Sequence, residues 1–423
     1  MRILYTCLFY LSVPAILLRL AWRGIKAPEY WRRWHERFAF YRQAFPSQVI
    51  WFHAVSVGEA ESLFPLVRRI QSRYPEIPLL ITTTTPTGSA RVKAVLKDSV
   101  SHVYLPYDLP DVLNRFMRCF KPKLAVIMET EIWPNLYACC SNHKTPLFLI
   151  NARLSERSVR GYQRIPTLIR PALAQITWIA AQTPEDCQRF AAIGATANIT
   201  AVGNIKFDVE IPEDAQQQGL KLKADLFPKR FVWLIASTHT GEEAILLTVF
   251  QQLKAQIPEL LLVIAPRHPE RFEEVRQLCS TQHLNTITRS SNLSCSPETD
   301  VFVLDSLGEL KQFYGAADVA FVGGSLVAIG GHNVLEAAAV GVPVLFGPYM
   351  ANFKAIAKSI LEQEAAIQCA TPEAIREAII GLYADPESRA QLISKGHAFI
   401  KNNQGATEQV FKALIPFLNN TAY

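Results

Sequence analysis

Several signatures are missing from this 423-residue chain, and each absence removes a class of chemistry. None of the eight cysteines belongs to a C-x-x-C pair. Cys7, Cys119, Cys139, Cys140, Cys187, Cys279, Cys295 and Cys369 are scattered, which argues against a zinc ribbon or disulfide scaffold and for small core residues in a reducing compartment. There is no D-x-D and no H-E-x-x-H, and Glu129-Thr130-Glu131 offers two carboxylates at most, so no metal site is expected. The G-x-G-x-x-G dinucleotide fingerprint is absent as well. A net charge of +6 is modest for the length; nucleic acid is not indicated, while an anionic substrate or a membrane surface fits.

Long apolar runs are scarce, with one exception. Ile3 to Leu18 is interrupted only by Thr6, Ser12 and Pro14, and is followed by Arg19, Arg23, Lys26, Arg32, Arg33 and Arg37. A cleaved signal peptide carries its charge before the apolar run, so this segment (residues 1–25) reads as a membrane anchor. Sixteen helical residues span about 24 Å, short of the roughly 30 Å hydrocarbon core. Extension to Trp22 reaches across if Arg19 snorkels, so spanning and interfacial anchoring both stand. Basic residues after the run place the bulk of the chain on the cytoplasmic side of the inner membrane.

The remainder alternates short apolar runs with amphipathic stretches, the pattern of parallel α/β sheets. Strands are expected at Val49 to Ala54, Leu79 to Thr83, Leu124 to Met128, Leu147 to Ile150 and Trp178 to Ala181. After a polar connector over Glu210 to Lys229 they resume at Phe231 to Ala236, Leu260 to Ala265, Val301 to Leu304, Val319 to Val322 and Val342 to Phe346. Two Rossmann-like domains of similar size follow, over 26–210 and 211–405, with a last helix in 406–423 that can pack back on the first. Domains of this kind bind ligands beyond the carboxyl ends of their strands, here in a cleft between the two.

The densest signal is Gly323 to Pro348, where the pairs Gly323-Gly324 and Gly330-Gly331 precede a helix expected over Asn333 to Val340. Glycines there let backbone approach a phosphate at the helix N-terminus, and Glu336 is placed for ribose hydroxyls. A plain capping box of Asn333 with Glu336 is the alternative. Other stations also follow strands: Ser56-Val57-Gly58-Glu59, with Gly58 for a tight turn and Glu59 in a first turn whose dipole favours its ionised form. Thr82 to Ser89 is either an anion loop or a cap. Glu129 to Asn135 adds acids and Trp133, a flat wall for a sugar, and Asn151-Ala152-Arg153 adds charge beside it. Arg157, Arg160 and Arg164 suit either solvent or a phosphorylated acceptor. Lys206, in Gly203 to Asp208, either neutralises charge on the donor or in the transition state or is a solvated lysine near a hinge. Ser237 to Glu243 is a candidate phosphate or hinge loop, Arg267 after Pro266 can reach a phosphate or a base edge, and Leu307 to Leu310 follows a further strand.

Taken together, Ser56 to Glu59, Glu129 to Asn135, Gly203 to Asp208, Ala265 to His268 and Gly331 to Glu336 resemble the 3-deoxy-D-manno-octulosonic acid (Kdo) transferases of lipid A assembly, over essentially the whole chain. The resemblance implies a GT-B fold, CMP-Kdo as donor, the tetraacylated, bis-phosphorylated lipid A precursor (lipid IVA) as acceptor, and inversion without metal or cofactor. It implies Glu59 as general base, with Glu131 (Glu129 being the alternative) and Lys206 stabilising the transition state. It places CMP on Pro266, Arg267, Leu307, Gly308, Glu309, Asn333, Val334, Leu335 and Glu336. A UDP-sugar enzyme of the same fold and a non-catalytic nucleotide-binding scaffold are the competing readings.

Overall fold

The computed structural model describes residues 1–209, 211 and 214–419. Glu210 and Pro212, at the start of the expected connector, lie outside the described residues; Ala215–Leu226 of that connector is helical. The chain forms two compact units, one of residues 1–208 rejoined from Gln404 onward, the other of Val209–Asn403.

In the first unit, β1 (Ile50–His53), β2 (Leu79–Thr83), β3 (Ser101–Tyr104), β4 (Leu124–Met128), β5 (Leu147–Ala152), β6 (Trp178–Ala181) and β7 (Asn198–Ala201) build one sheet. Its order is β3-β2-β1-β4-β5-β6-β7, parallel throughout. The second unit repeats the architecture with β8 (Phe231–Thr238), β9 (Leu260–Pro266), β10 (Thr286–Thr288), β11 (Val301–Val303), β12 (Val319–Val322), β13 (Val344–Phe346) and β14 (Ile367–Gln368). Its order is β10-β11-β9-β8-β12-β13-β14, again parallel. Parallel sheets must be covered on both faces, so their central strands read as unbroken apolar runs. Period-two alternation sends Ile50 and Phe52 into the core on one face and Trp51 into the core on the other. The chain therefore has the GT-B fold class: two parallel α/β units plus one N-terminal apolar helix.

The order reverses between β1 and β4 in the first sheet and between β8 and β12 in the second. At such switch points the flanking connections leave on opposite faces and open a crevice beyond the strand ends. The last helix, Ala406–Asn419, buries Val410, Leu414 and Leu418 in one face of the first unit's core. Asp208 fixes its start by accepting from Gly405 N (2.7 Å) and Thr407 N (2.5 Å).

The N-terminal helix, Arg2–Lys26, has two faces. Tyr5 donates to Asp108 Oδ2 (2.9 Å), Thr6 to Asn135 Oδ1 (3.0 Å) and Tyr10 to Asp111 Oδ1 (2.5 Å), and Phe9 and Val13 pack against the first unit's core. Ile3, Leu8, Leu11, Leu18, Trp22 and Ile25 are exposed, Ile3 by 81% and Leu11 by 77%. The first three turns are thus tied to the globular unit while a continuous apolar stripe looks away from it.

Candidate functional site

In the first unit, the switch point gathers three carboxylates and two cations. Ser56 caps the helix Val57–Arg73, its hydroxyl accepting from Glu59 N (3.3 Å). The Glu59 carboxylate reaches back to accept from Val55 N (2.8 Å) and Ser56 Oγ (3.0 Å). This is a reciprocal cap, so the first-turn geometry expected for Glu59 is present. Its charge state departs from the helix-dipole expectation: burial pushes the Glu59 carboxyl up from its usual value, the Glu129 charge adds to this, and the Val55 and Ser56 hydrogen bonds and Lys206 only partly offset it. Gly58 makes no tight turn. It lies within the helix, and a Cβ there would meet nothing within 4 Å, so the surface beside Glu59 stays clear.

Glu129 follows β4 with φ 56°, a left-handed conformation that costs a non-glycine residue about 1–3 kcal/mol. That turn aims its carboxylate at two cations: Lys206 Nζ lies 3.0 Å from Oε1 and the Arg153 guanidinium 2.9 Å from Oε2. Lys206 is itself placed by Asn151, also left-handed (φ 52°), whose Oδ1 accepts from Ile205 N at 3.1 Å. Two strained strand ends on adjacent strands therefore set one ion pair. Glu131 stands apart from it. Its carboxylate accepts from Trp133 Nε1 (2.8 Å), and burial, with the charges of Glu59 and Glu129, pushes its carboxyl up to about 7. The structure brings Lys206 to Glu129 rather than to Glu131, while each of Glu59, Glu129 and Glu131 lies within electrostatic reach of another.

The neighbouring hydroxyl loop is a cap. Thr85 Oγ1 accepts from Gly88 N (3.1 Å) to start the helix Pro86–Leu96, and Thr84 donates to Val55 O (3.0 Å). Arg157, Arg160 and Arg164 are exposed and make no ion pair among the described residues.

In the second unit the glycine-rich loop departs from the phosphate-cradle expectation. Gly323 passes so close to β8 that a Cβ would lie 2.7 Å from Ser237 O. Gly324 then turns with φ +66° and points its N–H, with those of Ser325 and Leu326, at the fully buried Glu242. The Glu242 carboxylate accepts from Gly324 N (2.7 Å), Ser325 N (3.0 Å), Leu326 N (2.9 Å) and His239 N (3.0 Å). The backbone nest is filled from within the protein, because a buried carboxylate is stable only when its lone pairs are all used. Glu243, one residue on, is buried against Arg271 at 2.5 Å. Ser237 is left-handed too (φ 57°).

Of the residues expected to meet the nucleotide, Arg267 follows β9 half-exposed and makes no ion pair among the described residues; Pro266 ends that strand and is buried. Leu307 and Gly308 are exposed, and Glu309 holds Arg289 at 2.9 Å. The helix after the second glycine pair is shorter than expected, Leu335–Val340, with Asn333 Oδ1 accepting from Leu335 N (3.1 Å). Val334 and Leu335 are core residues at 0% exposure, so only their backbone can face a ligand. Glu336 sits in the first turn rather than one turn in. Among the described residues no group of three or more His, Cys, Asp or Glu is arranged to hold a metal.

Residues 32–209 match the family of 3-deoxy-D-manno-octulosonic-acid transferases (kdotransferases), and residues 243–399 match the glycosyl transferases of group 1. A 3-deoxy-D-manno-octulosonic acid transferase of Haemophilus influenzae is 40% identical over 421 residues, 99% of each chain. The chain belongs to the Kdo transferase family. A Kdo transferase of Bordetella pertussis is 35% identical, over 87% of each chain. In fold alone, the chain is similar to the UDP-GlcNAc 2-epimerase of Neisseria meningitidis (13% identical, TM-score 0.56, covering 88% of this chain and 100% of that one). It is similar in the same sense to MurG of Acinetobacter baumannii (13% identical, TM-score 0.55, with the same coverages).

For a Kdo transferase, sequence reasoning singled out the acids and Lys206 but missed what holds them. Arg153 as the second partner of Glu129, Asn151 as the group placing Lys206, and Glu242 as the filler of the nest carried no signal beyond their place after apolar runs. Residue type at a strand end was the usable clue; the left-handed turns that aim the side chains were not.

Proposed function

We propose that this Kdo transferase moves Kdo from CMP-Kdo to a hydroxyl of lipid IVA, the tetraacylated lipid A precursor, with inversion at the anomeric carbon. The observation that carries this reading is the gathering of Glu59, Glu129, Glu131 and Lys206 at the first sheet's switch point, in the motifs that carry the family resemblance. The acceptor oxygen attacks the anomeric carbon and its proton passes to Glu59. The bond from that carbon to the phosphate oxygen breaks, and its electron pair leaves with CMP. Burial strengthens Glu59 as a base, since a raised proton affinity improves proton transfer once the group is ionised. Lys206, steadied by Glu129, and Glu131 meet charge that develops along the way. Arg267 and the segments 307–309 and 333–336 receive CMP. Because CMP is a stable leaving group, the displacement asks for no bridging metal.

The N-terminal helix supports attachment to the cytoplasmic face of the inner membrane, and in the plane of that surface rather than across it. A spanning helix would carry Tyr5, Thr6 and Tyr10 to the far side, yet these residues hydrogen-bond the globular unit. An in-plane helix instead offers its exposed stripe to the acyl boundary, with basic and Trp residues at the headgroup level. The acceptor's acyl chains occupy that same layer. The test is product analysis: CMP-Kdo and the lipid precursor should give Kdo-lipid of inverted configuration by mass spectrometry and NMR. A retained configuration, or transfer only from a UDP-sugar, would contradict the proposal.

A further inference from the structure

Three imidazoles meet at the second sheet's switch point, and the chemistry above leaves them unused. His239 follows β8, His268 follows β9, and His332 lies in the glycine loop beyond β12. The His239 and His332 rings are parallel to within 8°, with centroids 5.0 Å apart and their Nε2 atoms 2.8 Å apart. His268 stands edge-on to His239 at 5.4 Å. Two imidazole nitrogens at 2.8 Å share one proton: one donates and the other accepts.

The pair is built in. Glu242 Oε2 accepts from both His239 N and Gly324 N, so one buried carboxylate fixes both loops. Gly331 N donates to Gly324 O at 2.7 Å and brings His332 alongside. A Cβ on Gly324 would lie 3.0 Å from His332 Cδ2 and 3.5 Å from His239 Cδ2, so glycine keeps that face clear. The charged groups around the pair are Arg267, His268, Arg271, Glu242 and Glu243. The two acids are committed, Glu242 to four N–H groups and Glu243 to Arg271. Burial, followed by His268, Arg267 and Arg271, pushes His239 below its usual value, with Glu243 opposing. Burial, followed by Arg267, His239 and His268, pushes His332 down to about 3. Burial and the neighbouring cations thus hold the pair toward its uncharged form, a cost that an anion placed between the rings would offset.

We propose that the His239–His332 pair is a subsite for the carboxylate of the donor's sugar acid, which replaces the hydrogen bond between the rings with two N–H donors to its own oxygens and draws one proton from solvent. This rests on the CMP-Kdo reading, in which the donor carries a phosphate and a carboxylate. The Arg267 guanidinium, which makes no ion pair among the described residues, suits the phosphate. The two Nε2 atoms face each other, and once the rings part each can turn an N–H to one oxygen of a carboxylate. The pair is then a selectivity device, because a neutral sugar cannot charge it.

The test is isothermal titration of the full chain in detergent with CMP-Kdo and, separately, with CMP, near pH 7.5 in two buffers of different ionisation enthalpy. Proton uptake is expected with CMP-Kdo and not with CMP, a readout that needs no variant. His332→Gln and His239→Gln, checked for unchanged melting, should each bind CMP-Kdo about ten-fold or more weakly, the worth of one charge-assisted hydrogen bond. Their affinity for CMP should hold. Equal proton counts for the two ligands, equal weakening of both, or no weakening of CMP-Kdo would each overturn the assignment. Failure of the wild type to bind CMP at all would instead bring down the donor reading, and the subsite with it.

Discussion

The two units share one architecture and treat their acids in opposite ways. In the first, Glu59 and Glu131 stay half-buried in a mixed-charge cluster around the buried Glu129, with burial raising the proton affinity of Glu59 and Glu131. In the second, Glu242 and Glu243 are drawn inside, one into a backbone nest and one onto Arg271. Around that nest Arg267, His239 and His332 remain partly accessible. An α/β crevice becomes a proton-taking or an anion-receiving surface according to where its carboxylates go. The fold supplies the crevice, and the strand-end residues decide its sign.

Breaking this contrast is most costly at Glu242. Glu242→Ala leaves four N–H groups without partners, two buried and two half-buried, each buried one worth about 1–3 kcal/mol, against a domain stability of about 5–15 kcal/mol. The second unit should lose cooperative folding while the first still melts, readable by calorimetry; an unchanged melt would show the nest to be dispensable. Lys206→Met takes one of the two cations from the first cluster and should lower kcat about 100-fold with CMP affinity intact, on the scale of losing one electrostatic stabiliser. A change in CMP affinity alone would move Lys206 out of the reacting cluster.

Glu131→Gln sharpens the contrast through pH. Between the ordinary value of 4.5 and about 7 the folded chain keeps a proton that the unfolded chain has released. The wild type therefore loses stability as pH rises through that window, the loss being complete above it. The variant should melt higher than wild type at pH 8, and this gain should fade toward pH 4.5. A gain independent of pH would reject the assignment. The smallest effect belongs to Arg153→Ala, since that side chain is half-exposed and Glu129 retains Lys206: a few-fold at most in kcat.

How far the sequence could be read follows the same physics. β2, β4, β6 and β12 match the expected apolar runs residue for residue, as strands covered on both faces should. The four strands with no counterpart in that reading are β3, β7, β10 and β14, the two edges of each sheet. An edge strand is partly solvated, so Ser101–Tyr104 and Asn198–Ala201 mix polar with apolar residues and Thr286–Thr288 is only half-buried. At the site, Glu59, Glu131, Lys206 and Arg267 were legible as charged residues after strands. The left-handed turns at Glu129, Asn151 and Ser237 were not, because none of them is glycine. Gly323-Gly324 was legible as a nest but not as a filled one, since Glu242 lies about eighty positions earlier in the chain.

Transfer by Glu59→Gln measures the central claim most directly. Single-turnover Kdo transfer should fall by about 10²–10⁴-fold, the usual weight of a general base, while CMP affinity stays at the wild-type value. In the wild type, kcat/KM should rise with pH through the elevated Glu59 value and then level off, and this limb should vanish in the variant. A variant that transfers Kdo as fast as wild type, or keeps the same pH limb, would contradict the assignment of the base.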